Sequence, residues 1–130
     1  MSRWKSYQIA SVQAETDVHI KAEVLFDPEH PLYKGHFPGR PVTPGVVMIG
    51  MIEDVFGIGL GRRASLKEAR MIKFHHPLIP QSDKRIAVEM TYHPGESGDL
   101  VVKAVVRDQE LKYCSLNGRY SIESSVAGTI

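Results

Sequence analysis

The chain predicts an α+β fold, with one buried helix set among long antiparallel strands. Three features of its 130 residues lead there. Several stretches alternate apolar and polar residues with the period of two that a half-buried strand requires. A single apolar run, Val46 to Phe56, has the length and composition of a buried helix. Short turn sequences separate the later strands, as in hairpins rather than crossovers.

The elements follow in order. Tyr7 to Ala14 alternates weakly, as an edge strand does. His19 to Phe26 alternates clearly and puts Ile20, Ala22, Val24 and Phe26 on one face. Asp27-Pro28-Glu29-His30-Pro31 ends that strand in a turn or loop. For the helix, Thr43 is the expected N-cap, Pro44 suits the first helical position and Gly57 is the expected C-cap. The run is apolar nearly all round until Glu53, which predicts burial on every side. Gly57-Ile58-Gly59-Leu60-Gly61 reads as a flexible connection; it follows a helix and lacks dinucleotide-fingerprint spacing. Leu66 to Phe74 is the next strand. Lys84 to His93 turns Ile86, Val88, Met90 and Tyr92 inward. After the turn Pro94 to Asp99, Leu100 to Arg107 and Leu111 to Ile122 make a hairpin across Asp108-Gln109-Glu110. Ser124 onward reads as a mobile tail.

The segment Gly35-His36-Phe37-Pro38-Gly39-Arg40-Pro41-Val42-Thr43-Pro44-Gly45 stands apart. It holds three prolines, three glycines and one histidine, so neither regular helix nor a central strand fits it. A stiff, irregular loop delivers His36 beside the start of a helix. There Gly45 allows close approach of a ligand, and the Gly45 and Val46 N–H groups point out of the helix end. An imidazole next to such an end pairs a base with an anion-stabilising group.

Composition narrows the function classes. A chain of this length makes one domain, residues 1–130, with room for a real core. At 42% hydrophobic and 24% charged residues it is not disordered. Sixteen basic against fifteen acidic residues is no nucleic-acid-binding balance. One cysteine excludes an internal disulfide and suits a reducing compartment. Residues 1–6 lack the core of a signal peptide and no run reaches membrane-spanning length, so a cytoplasmic protein without membrane contact is expected.

The loop followed by a buried helix resembles the hotdog-fold β-hydroxyacyl-acyl-carrier-protein dehydratases. Glu68-Ala69-Arg70, Phe74-His75-His76-Pro77-Leu78-Ile79-Pro80 and the position of Cys114 extend the likeness over roughly residues 18–122. The resemblance implies a hotdog fold, an antiparallel sheet wrapped around one central helix, and a homodimer or higher homo-oligomer joined edge to edge. It also implies dehydration of a 3-hydroxyacyl thioester presented on the phosphopantetheine of an acyl carrier protein, with no cofactor or metal. His36 would be the base and the Gly45 and Val46 N–H groups would hold the thioester oxygen. Phe37, Pro38 and Gly39 share the motif and are assigned to substrate binding.

The chain departs from that family at one place. The family's acid lies fourteen residues after the histidine, and this position is Gly50. Glu53 and Asp54 come three and four residues later, on the same side of a helix. Either Glu53 replaces the missing acid one turn late, or both carboxylates mark the helix emerging into solvent. Altered helices of this kind also resemble dehydratases of specialised pathways, aryl-polyene pigments among them. A hotdog acyl thioesterase and a non-catalytic acyl-binding partner subunit remain as alternatives.

The other candidates are weaker. Arg62, Arg63, Lys67, Arg70 and Lys73 form a basic run. It is either a solvated face or, through Arg62 and Arg63, a docking patch for an acidic carrier protein and its phosphate. His75 and His76 are adjacent in a strand and so point to opposite faces, which denies them joint metal binding. Cys114 sits mid-strand and reads as packing.

Overall fold

The computed structural model describes residues 5–123. The strands are β1 (Tyr7–Thr16), β2 (His19–Phe26), β3 (Ala64–Phe74), β4 (Arg85–Pro94), β5 (Leu100–Arg107) and β6 (Lys112–Ile122). One long helix, α1 (Gly45–Leu60), and a short 3-10 turn, Pro31–Lys34, lie between β2 and β3. The strands form one antiparallel sheet in the order β1-β2-β4-β5-β6-β3. This is the hotdog fold: the sheet curls around α1. The expected tail from Ser124 and the leader reading of Met1 to Trp4 lie outside the described residues.

The alternation read from the sequence is the alternation that packs. Ile20, Ala22, Val24 and Phe26 of β2 and Ile86, Val88 and Met90 of β4 are buried against α1 and its neighbours. In α1 the buried residues are Val47, Met48, Met51, Ile52, Val55 and Phe56. They recur at one-helix-face spacing. Burial on every side, as the apolar run predicted, does not occur. Val46 is 68% exposed and Ile58 55%, so the chain leaves the outward face of its own helix uncovered.

Both expected helix caps are corrected. The N-cap is Pro44 with no side-chain cap bond, because the Thr43 hydroxyl is engaged by Tyr33 instead. The C-cap is Gly61, in the left-handed region at φ 71°, and the helix runs on through Gly57 and Gly59. The expected flexible connection is therefore the last helical turn. Its glycines serve packing. A Cβ on Gly57 would lie 3.0 Å from the Arg62 carbonyl, and one on Gly59 would lie 2.6 Å from the Ile20 side chain. β3 also begins two residues before Leu66, at Ala64.

Two features of β3 position the site. It is an edge strand, paired to β6 alone. It also runs back along α1: its start follows the helix C-terminus, and Phe74 at its end lies under Gly45, where an added Cβ would meet the ring at 2.5 Å.

Candidate functional site

His36 sits on the loop that bridges the 3-10 turn and α1. Its N–H donates to the Tyr33 carbonyl at 3.2 Å, and its own carbonyl accepts the Val42 N–H at 3.0 Å. The imidazole Nδ1 lies 3.3 Å from the Val42 carbonyl oxygen. A carbonyl can only accept, so Nδ1 carries the proton and the Nε2 lone pair is left free. The ring stacks on Phe37, centroids 4.3 Å apart. Phe37 and Arg40 close the intervening turn through two main-chain bonds, with Gly39 at φ 73°. Phe37, Pro38, Gly39 and Arg40 are exposed around the half-buried histidine.

The start of α1 lies directly after this loop. The first N–H groups taken up by the main chain are those of Val47 and Met48, both on the Pro44 carbonyl. Those of Gly45 and Val46 precede them and project from the helix end. With no side-chain cap, this end keeps its donors and its partial positive charge for an incoming oxygen.

The helix acids are engaged elsewhere within the chain. The Glu53 carboxylate accepts the Leu66 N–H at 2.8 Å, which ties α1 to β3. Asp54 accepts the Tyr7 hydroxyl, which ties it to β1. Gly50 faces open space: a Cβ there meets nothing within 4 Å. Glu53 stands eight residues beyond Gly45, about 12 Å along the axis at 1.5 Å per residue.

Arg62 and Arg63 are exposed in the turn after α1. With Glu53, Asp54, Gly57 and Ser65 they line an open cleft of about 720 Å³. Arg70 does not join them. It lies seven residues from Arg63, about 20 Å along an extended strand. His75 and His76 have separate partners, the Ser115 hydroxyl and the Lys112 carbonyl. Cys114 is fully buried, and burial pushes its thiol up to about 11. Among the described residues no group of three or more His, Cys, Asp or Glu is placed to hold a metal ion. No helix there is long and apolar enough to cross a membrane.

Residues 11–116 match the family described as ApeI-like, ApeI dehydratase. The chain belongs to that family. Its curated relatives include 3-hydroxyacyl-[acyl-carrier-protein] dehydratases named FabZ. The one from Geobacter metallireducens is 37% identical over 93 residues, which cover 64% of this chain and 59% of the relative. The one from Clostridium acetobutylicum is 22% identical over 102 residues, 73% of this chain and 65% of the relative. The chain thus spans about three fifths of the length of the relatives it matches. Among solved structures, the dehydratase heterocomplex ApeI:P from Xenorhabdus doucetiae superposes with a TM-score of 0.69 at 18% identity, over 88% of this chain and 96% of that one. A hypothetical thioesterase with coenzyme A from Streptococcus pneumoniae gives 0.60 at 14%, over 91% and 89%. At such identities these structures establish the shared fold.

The sequence alone did not point to Tyr33, Ser6 and Leu78, which hold the loop. A signal was present in Tyr33. A large aromatic with a polar tip, set among Pro, Lys and Gly, needs a hydroxyl partner once buried.

Proposed function

We propose that the chain removes water from a 3-hydroxyacyl thioester carried by an acyl carrier protein. The observation that supports this is His36 held through Nδ1 beside an uncapped helix start, with Nε2 free. In this mechanism the thioester oxygen takes hydrogen bonds from the Gly45 and Val46 N–H groups, which stabilise the enolate-like charge as the α-proton leaves. Neutral His36 accepts that proton at Nε2. The C–O bond to the β-hydroxyl breaks, the imidazolium returns the proton to the departing oxygen, and water and the enoyl thioester result. Phe37, Pro38 and Gly39 flank the reacting end of the substrate.

The reading includes a homodimer. β3 is an eleven-residue edge, and the exposed Val46, Ile58 and Phe74 lie on or beside the uncovered helix face. A two-fold, antiparallel pairing of β3 with a second copy sets the Ala64 end of one strand against the Phe74 end of the other. That pairing carries Arg62, Arg63 and the cleft beside the second copy's Gly45 and His36. Arg62 and Arg63 then meet the acidic carrier protein at the mouth of the neighbouring site. Reversing both charges, Arg62→Glu with Arg63→Glu, should raise the apparent KM for carrier-bound substrate and leave a small thioester surrogate unaffected. The carrier-bound reaction should slow with salt, since exposed charges are screened over about 8 Å at physiological ionic strength. Equal loss on both substrates would assign the arginines to the fold and refute docking.

In this reading Glu53 stays outside the proton path and serves as an anchor, its Oε2 accepting the Leu66 N–H. Glu53→Gln should therefore lower turnover by less than about fivefold, as for a peripheral carboxylate. A sharp fall in kcat at constant KM would give proton return to Glu53 instead. Gly50→Glu restores the family's acid into open space and should raise turnover.

The open Gly50 position favours a second reading, a subunit that works only beside another hotdog chain supplying the acid. Purified protein assayed on a panel of 3-hydroxyacyl carrier-protein substrates, with mass-spectrometric detection, separates the possibilities. Loss of water supports the dehydratase. Hydrolysis supports a thioesterase. Neither reaction supports the partner subunit.

A further inference from the structure

The loop that carries His36 is closed by a buried chain of three hydroxyls. Ser6 Oγ lies 3.0 Å from the Tyr33 hydroxyl, which lies 2.9 Å from Thr43 Oγ1. All three residues are buried, at 1%, 4% and 3% exposure. Thr43 is fixed from a second side, its N–H donating to the Leu78 carbonyl at 2.9 Å. Thr43 directly follows Val42, whose carbonyl sets the tautomer and plane of the His36 ring. At the other end of the same loop the Tyr33 carbonyl accepts the His36 N–H. Tyr33 thus grips the loop twice, through its main chain at His36 and through its hydroxyl at the residue after Val42.

The 3-10 turn holds Tyr33 in turn. His30 Nδ1 accepts the Leu32 N–H at 3.0 Å and caps the turn, and Pro31 begins it. Burial holds the Tyr33 phenol above its ordinary range, so the hydroxyl stays protonated. The ring fills space that any aromatic residue would fill. The hydroxyl has a more particular consequence, because it joins Ser6, the residue before β1, to the last turn before α1. Proton transfer depends on placement: a misplacement of about 1 Å can cost about a hundredfold in rate.

We infer that Tyr33 is a positioning residue for His36, acting through Thr43 and the Val42 carbonyl to hold the imidazole in the Nδ1-protonated tautomer with the Nε2 lone pair free. The kinetic part of this inference rests on the dehydratase reading above; the geometric part does not. Loosening the clamp leaves the base present but poorly aimed, so it should lower kcat rather than weaken substrate binding.

The test uses the full chain labelled with 15N-histidine. Long-range 1H–15N spectra read the His36 tautomer, and His36→Ala assigns the signal. The wild type should show the Nδ1-protonated form. Tyr33→Phe removes only the hydroxyl. It should shift His36 toward a mixture of tautomers and lower kcat about tenfold, a partial form of the misplacement penalty, with KM little changed. Thr43→Val cuts the same chain from the other side and should match it, and the double variant should lose no more than either single one. Thr43→Ser keeps the hydroxyl and should keep the wild-type spectrum. Tyr113→Phe, which loses a buried hydroxyl bond elsewhere, controls for lowered stability and should leave the His36 signal unchanged. An unchanged tautomer in both Tyr33→Phe and Thr43→Val overturns the inference, as does an equal change in Tyr113→Phe. A changed tautomer in a protein that dehydrates no substrate upholds the clamp and overturns the dehydratase reading alone.

Discussion

His36→Ala should lower dehydration by about 10²–10⁴-fold, the usual loss on deleting a general base. The fold should survive it. The His36 side chain is only half-buried, stacks on the exposed Phe37 and bonds to the Val42 carbonyl alone. It is no member of the buried core cluster. The thermal midpoint should therefore stay within about 2 °C of wild type, as for substitutions away from the core. Steady-state kinetics on a 3-hydroxyacyl carrier-protein substrate, with a circular-dichroism melt of the same sample, checks both halves. Near wild-type turnover would sink the mechanism. A collapsed melt would mean that the loop needs the imidazole to hold its shape.

The expected loss depends on His36 working without a carboxylate partner. Glu53 is bonded to Leu66 and Asp54 to Tyr7, so each acid near Gly50 ties α1 to a different edge strand, β3 or β1. The helix thus carries anchors one turn after Gly50. In the proposed mechanism the reaction then falls to the base, the helix-end donors and water.

Much of this was legible in the chain. All six strands and the helix were read, β1, β2 and β4 from alternation, the β5–β6 hairpin from its turn and the helix from one apolar run, because burial on one face imposes a pattern that local sequence records. The irregular loop that sets His36 ahead of Gly45 and Val46 was legible for a different reason. Three prolines and three glycines in eleven residues are hard to explain without a required loop shape. The helix ends were misread because glycine signals both a cap and a close approach. Gly57 and Gly59 are contacts, and of these three helix-end glycines Gly61 alone adopts a positive φ. Thr43 was misread because its hydroxyl has a tertiary partner that no local rule reveals. The basic run on β3 was legible as charge but not as geometry. Lys67 and Arg70 fall where the β3–β6 register slips, and Gly118 is opposite, where a Cβ would lie 2.6 Å from the Glu68 carbonyl. A glycine within a strand was the available hint of that close approach.

The largest stability effect should come from Asp108, at the hairpin between β5 and β6. Its carboxylate accepts the Glu110 N–H at 2.7 Å, the Leu111 N–H at 2.8 Å, the Tyr113 hydroxyl and the Lys84 ammonium at 2.9 Å. Burial alone would raise its pKa. The Tyr113 hydroxyl, the Leu111 N–H, Lys84 and the Glu110 N–H outweigh burial and hold the acid well below the usual carboxylate range. Asp108→Ala strands these donors, with Tyr113 itself buried. The cost should be about 3 kcal/mol, near the lower end for breaking a buried pair because the Lys84 side is partly open to water. The midpoint should fall by about 10 °C. The pH dependence gives a second check. A carboxyl whose pKa is depressed on folding stabilises the native state fully above its unfolded value and loses that contribution as pH falls. The advantage of wild type over Asp108→Asn should thus be intact from neutrality to about pH 5 and shrink as pH drops below the ordinary 3.8. Melts of both proteins at pH 7 and pH 3 decide it. A difference of the same size at both would show that the charge of Asp108 is not what holds the hairpin.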